Sequence, residues 1–188
     1  MKNNSTRNLI LDSAQALAQA RGFNAFSYAD IATELGVKKA SIHYYFPSKH
    51  DLEMELLERY TAGFSAELNC IESKAKGSVE RLRLYIDLYS ATLSNNQICL
   101  GGMMASDVGA LPEQLVPTLS YFFKVQIDWL TKVIKDGKNN GELNFAESEQ
   151  SQASVFLSAL QGGLLIANAM NDTAVFKRLK NTLIAQLL

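Results

Sequence analysis

Residues 27–52, SYADIATELGVKKASIHYYFPSKHDL, decide the fold. Ser27 and Asp30 form an S-x-x-D capping box, which satisfies orphan backbone N–H groups and opens a helix. Ile31, Ala32 and Leu35 give that helix one apolar face, and Gly36 stands where a left-handed residue ends it. A second helix is predicted from about Lys38 to Tyr45. Pro47 stops it, and Ser48 with Asp51 forms a second capping box that opens a third helix. Two short helices joined by a tight glycine turn make a helix-turn-helix.

The first turn of the second helix carries the chemistry. Lys38 and Lys39 sit at the positive end of the helix dipole, where each cation costs about 0.3–1 kcal/mol. Nucleic-acid phosphate is the obvious compensating charge, because the second helix of this motif enters the DNA major groove. Ala40 and Ser41 are small enough for close backbone approach. His43 and Tyr44 project from the same helix, and Lys49 opens the next one. Expected phosphate contacts are Ser27, Tyr28, Lys38, Tyr44 and Lys49; expected base-edge contacts are Lys39, Ala40, Ser41 and His43.

The window GVKKASIHYYFPSKHDL resembles the recognition-helix signature of TetR-family transcriptional regulators, with its YF, SK and acidic-Leu sequence. The resemblance covers about residues 5–55 closely and the remainder in helical layout. His43 stands where the family usually has Tyr. The resemblance implies an all-α fold: a three-helix DNA-binding head, residues 1–47, on a ligand-binding and dimerisation body, residues 48–188. It also implies a homodimer on palindromic double-stranded DNA, released by a small-molecule inducer.

Composition agrees with a folded helical chain. Of 188 residues, 47% are hydrophobic and only three are proline, which argues against disorder. The net charge is −1, yet residues 1–50 carry six Lys or Arg against three acidic residues, while the rest carries twelve against sixteen. A basic head on an acidic body is the asymmetry expected when one end faces phosphate. No apolar run approaches the roughly 20 residues of a membrane span. The amino-terminal MKNNSTRNLI lacks the apolar core of a secretory signal. A cytoplasmic location is expected, and Cys70 and Cys99 fit a reducing compartment.

Periodicity predicts further helices at about residues 5–21, 48–73, 79–93, 103–109, 112–138, 147–168 and 173–187. Along the last two, Val155, Ala159, Leu160, Gly163, Leu164 and Ala167 are paired with Val175, Leu179 and Leu183 as the expected dimer surface. The family resemblance implies a four-helix packing there. A two-fold axis would set two heads one DNA turn apart, about 34–36 Å. The middle helices are rich in Met and aromatic residues suited to an adaptable apolar site. Tyr85, Tyr89, Cys99, Met103, Phe122 and Trp129 are the expected inducer contacts, with Met104 and Tyr121 nearby in sequence. Cys99 precedes a short helix, so a thiol-based sensor using the same head is the alternative. A helical enzyme or ligand carrier is a weaker one. His43 and His50 share no helix face, and no nucleophile elbow, phosphate loop, dinucleotide fingerprint or metal-ligand spacing occurs. No catalysis, metal or cofactor is expected.

Overall fold

The computed structural model describes the chain from Lys2 to Leu188, with side chains from Thr6 onward. Among the described residues the regular structure is helical, without a strand. Its α-helices are α1 (Lys2–Arg21), α2 (Tyr28–Leu35), α3 (Lys39–Tyr45), α4 (Lys49–Lys74), α5 (Ser78–Ser94), α6 (Leu100–Ser106), α7 (Leu115–Asn139), α8 (Glu149–Ala169) and α9 (Thr173–Ala185). Short 3-10 turns occupy Phe23–Ala25 and Val108–Ala110. The all-α expectation holds. Helix α6 starts at Leu100 rather than Met103, and α7 starts three residues after Pro112.

The chain divides into two compact units, one reaching Ala62 and including Leu100–Ser120, the other comprising Gly63–Cys99 and Tyr121–Leu188. In the first unit, α1 packs against α2, the Phe23–Ala25 turn and α6, and α2 packs against α3. Ile10, Leu11, Ala14, Ile31, Ile42, Phe46, Leu52 and Leu56 form its core. Polar ties join α1 to its neighbours. Ser13 Oγ donates to Glu34 Oε2 at 2.8 Å, and Arg59 Nη1 meets Asp12 Oδ1 at 2.7 Å.

In the second unit, α5, α8 and α9 pack together. The helices α8 and α9 approach closely at Gly163: a Cβ there would lie 2.1 Å from Leu179 Cδ2, so the leucine would have to shift. Helix α5 starts without a capping side chain of its own. A distant carboxylate supplies the acceptor instead: Glu142 Oε2 accepts from the N–H groups of Ser78 (2.7 Å) and Val79 (3.3 Å). Asn144 N donates to Leu187 O at 2.8 Å and holds the carboxyl-terminal turn.

Candidate nucleic-acid interface

Both predicted capping boxes form. Ser27 Oγ accepts from Ala29 N at 3.2 Å, while Asp30 Oδ2 accepts from Ser27 N at 2.7 Å. The Ser27 hydrogen bonds hold the Asp30 carboxyl below its usual range. Ser48 and Asp51 repeat the arrangement at the start of α4, with the same consequence for Asp51. Gly36 adopts φ 64, ψ 31, and its N–H with that of Val37 returns to the last carbonyls of α2. That left-handed turn sets α3 against α2.

Helix α3 is anchored from one side. Ile42 is fully buried and Phe46, just past the helix end, almost so. Lys39, Ala40, His43 and Tyr44 are exposed, Lys39 because it opens the helix and Ala40 and Tyr44 because they point away from Ile42; Tyr44 is 73% exposed. Lys38 is the N-cap residue, without a side-chain cap bond, and is likewise exposed. Ser41 is half-buried. The His43 ring meets Tyr28 edge-on at 4.8 Å, and its Nδ1 lies 3.4 Å from Pro47 O. Thr6, Val37 and Tyr45 join Ala40, Ser41 and Tyr44 around a shallow concavity. Sequence reasoning missed Thr6 because the proximity of α1 to α3 leaves no local signature.

Two expected phosphate contacts are corrected. Tyr28 is buried, and its hydroxyl lies 3.0 Å from Phe46 O and 2.5 Å from Ser48 O. Burial, reinforced by Asp51 and Glu53, pushes this phenol up to about 12, so it stays a donor. Lys49 turns inward: Nζ donates to Phe23 O at 2.5 Å and Phe26 O at 2.7 Å and lies over both phenyl rings. Burial lowers its ammonium pKa. Both side chains splice the start of α4 to the head's own loops rather than facing solvent.

The expected inducer residues assemble in part. Tyr85, Tyr89, Phe122 and Trp129 meet in the second unit, where Tyr85 stacks on Trp129 at 5.5 Å and Phe64 touches Tyr85, Tyr89 and Phe122 edge-on. Gln126, fully buried, accepts from both Tyr85 and Tyr89 hydroxyls at 2.9 Å. Gln161 Nε2 donates to Tyr89 Oη at 3.2 Å and Cys99 Sγ at 3.4 Å. Neither Gln126 nor Gln161 was anticipated; a glutamine on an otherwise apolar helix face was the available signal. Desolvation raises the Tyr85 phenol. Gln161 Oε1 and Trp129 Nε1 are buried without a hydrogen-bond partner among the described residues. Met103 does not join this cluster; it belongs to the first unit, where its Cε lies 3.2 Å from a Cβ built on Gly22. Tyr121 is exposed.

The expected dimer surface is also corrected. Leu160, Gly163, Leu164, Ala167 and Leu183 are buried within the single chain, and Leu179 fills the space beside Gly163. These residues hold α8 to α9. Val155 and Ala159 remain accessible, as does Val175 in part. The outward stripe of α8 runs Val155, Ala159, Gly162, Ile166 and, just beyond the helix, Met170; Ile166 is 53% exposed. No atom lies within 4 Å of a Cβ built on Gly162.

No helix is long and apolar enough to cross a membrane among the described residues, and none of their His, Cys, Asp and Glu side chains cluster to hold a metal. The sequence model described as "Bacterial regulatory proteins, tetR family" matches residues 10–56. The structure resembles a transcriptional regulator from Agrobacterium tumefaciens, at TM-score 0.95 and 31% identity over 98% of both chains. It also resembles a regulator from Legionella pneumophila, at TM-score 0.87 and 35% identity over 97% of both. The sequence is 26% identical to the HTH-type transcriptional repressor NemR of Escherichia coli K12, over 95% of this chain and 90% of that protein.

Proposed function

Since the chain belongs to the TetR family of bacterial transcriptional regulators, we propose that it is a homodimeric repressor of palindromic operators, released by a small molecule bound in its second unit. The observation that carries this reading is the solvent-facing side of α3. Lys38, Lys39, Ala40, His43 and Tyr44 are exposed at the entrance and along the open side of a helix that Ile42 and Phe46 anchor. Lys38 and Tyr44 would meet phosphate, whereas Lys39, Ala40, Ser41 and His43 would meet base edges. Residues 1–47 act as the reading head and residues 48–188 as the sensing and pairing body.

Pairing uses the outward stripe of α8. Val155, Gly162, Ile166 and Met170 would bury apolar surface against the same residues of a second copy, as a two-fold interface requires. Open space above Gly162 supports close helix approach. The inducer engages the Tyr85–Tyr89–Gln126–Gln161 network, whose unmatched Gln161 Oε1 and Trp129 Nε1 offer an acceptor and a donor. Such a ligand releases DNA only if it prefers one spacing of the heads; equal affinity for both shifts nothing. The repressive sign follows the named function of NemR.

Cys99 supports a second reading, a thiol sensor, because Gln161 ties its sulfur to the same network. Cys99 is buried, as are Tyr85, Tyr89 and Gln126 of the same network. The test is selection of bound duplexes by the purified protein, followed by a screen of small molecules for release. A palindromic consensus released by an added ligand in Cys99→Ser as in the parent supports the proposal. Release by electrophiles alone, lost in Cys99→Ser, supports the sensor; no enriched sequence overturns both.

A further inference from the structure

The first unit contains a cavity of about 510 Å³ that the repressor reading does not use. Its walls come from the end of α1 with the Phe23–Ala25 turn, from α4, and from α6 with the Val108–Ala110 turn. All belong to one compact unit. The volume lies within the roughly 300–1,000 Å³ of small-molecule sites.

Glu53 lines this cavity and is 8% exposed. No hydrogen bond or ion pair reaches its carboxylate among the described residues; Lys49 and His50 act on it only through space. Lys49, the cation best placed to pair with it, is held instead by the carbonyls of Phe23 and Phe26. The side chain is largely buried and its carboxylate faces the cavity, and this burial raises its pKa. Arg21 and Asp107 are the other charged groups on the wall, and Asp107 accepts from Asn24 Nδ2.

Beside these charged groups and the polar Asn24 and Ser106, part of the wall is soft and apolar. Phe23, Met103, Met104 and Leu111 surround the space that Glu53 faces. A bare metal ion would need several oxygen or nitrogen ligands, and no group of three His, Cys, Asp or Glu is gathered there among the described residues. Thioethers, a phenyl ring and one buried carboxylate suit an organic cation.

We propose that this cavity binds a small organic ammonium compound, its nitrogen on the Glu53 carboxylate and its apolar body against Phe23, Met103 and Met104. This site is separate from the aromatic cluster of the second unit, and its existence does not depend on what α3 reads.

Calorimetric titration of the full chain tests it, using phenethylammonium and its neutral isostere phenethyl alcohol. The ammonium binds at least about tenfold more tightly than the alcohol, as expected for a hydrogen bond to a buried charge. Glu53→Gln removes that preference and melts no lower than the parent, because it deletes an unpaired buried charge. Ala110→Trp, at an exposed position on the wall, abolishes binding of both compounds and leaves Glu53 intact. No binding of phenethylammonium at millimolar concentration overturns the proposal, as does equal affinity for the alcohol or unchanged affinity in Glu53→Gln. Should Glu53→Gln fail to fold, the ammonium–alcohol comparison in the parent and the Ala110→Trp titration decide.

Discussion

Lysines in similar sequence settings are employed differently here. Lys38 stands exposed at the entrance of α3, whereas Lys49 stabilises the head from inside through two carbonyls and two rings. Lys49→Ala is therefore expected to lower head stability by about 1.5–3 kcal/mol, the usual range for hydrogen bonds to a charged group, read by urea unfolding. Its effect on DNA would follow from that loss of order. Sequence alone suggested the opposite, because the carbonyls that hold Lys49 lie 26 and 23 residues earlier. The capping carboxylates, by contrast, were legible, since each box closes within four residues. Asp30 and Asp51 are both held below the usual carboxylate range by their serines. Their stabilisation is fully present above the unfolded value near about 3.9 and is lost as pH falls through the folded one. Unfolding midpoints measured against pH should show a smaller acid-side decline in an Asp30→Asn, Asp51→Asn double variant than in the parent.

At the scale of elements, the head was readable because its signals are punctuation: Ser27, Gly36, Pro47 and Ser48 mark ends whatever surrounds them. Helix α8 was not. Val155, Phe156, Leu157, Leu160, Leu164, Leu165 and Ile166 make it apolar around most of its circumference, so periodicity does not say which stripe faces inward. Contact with α9 decides it, through the glycine at 163. Gly163→Val should cost about 1–3 kcal/mol by overpacking against Leu179. Leu179→Ala in the same chain should recover part of that loss, and a double-mutant cycle on unfolding free energies measures the coupling. Strict additivity would contradict the packing described. The outward stripe predicts a different phenotype. Ile166→Asp should leave the melting of the single chain's core intact while sedimentation shows monomers; a persisting dimer would place the interface elsewhere.

For the whole molecule, reading DNA depends on where charge stands rather than on how much there is. The chain is nearly neutral, yet Lys38 and Lys39 stand exposed at the entrance of α3, a helix held in place by buried Ile42 and Phe46. The same logic explains why the aromatic cluster was only partly legible. Tyr85, Tyr89, Phe122 and Trp129 were visible as large residues, whereas the glutamines that join them became evident only once the helices were assembled. Binding to a selected duplex across a salt series tests the central claim most directly. The parent should show a steep linear fall of log affinity with log salt concentration. Lys38→Ala should flatten the slope by about 0.9 per subunit, about 1.8 for a dimer. Affinity indifferent to salt, or a slope unchanged by Lys38→Ala, would contradict the assignment of this face to DNA.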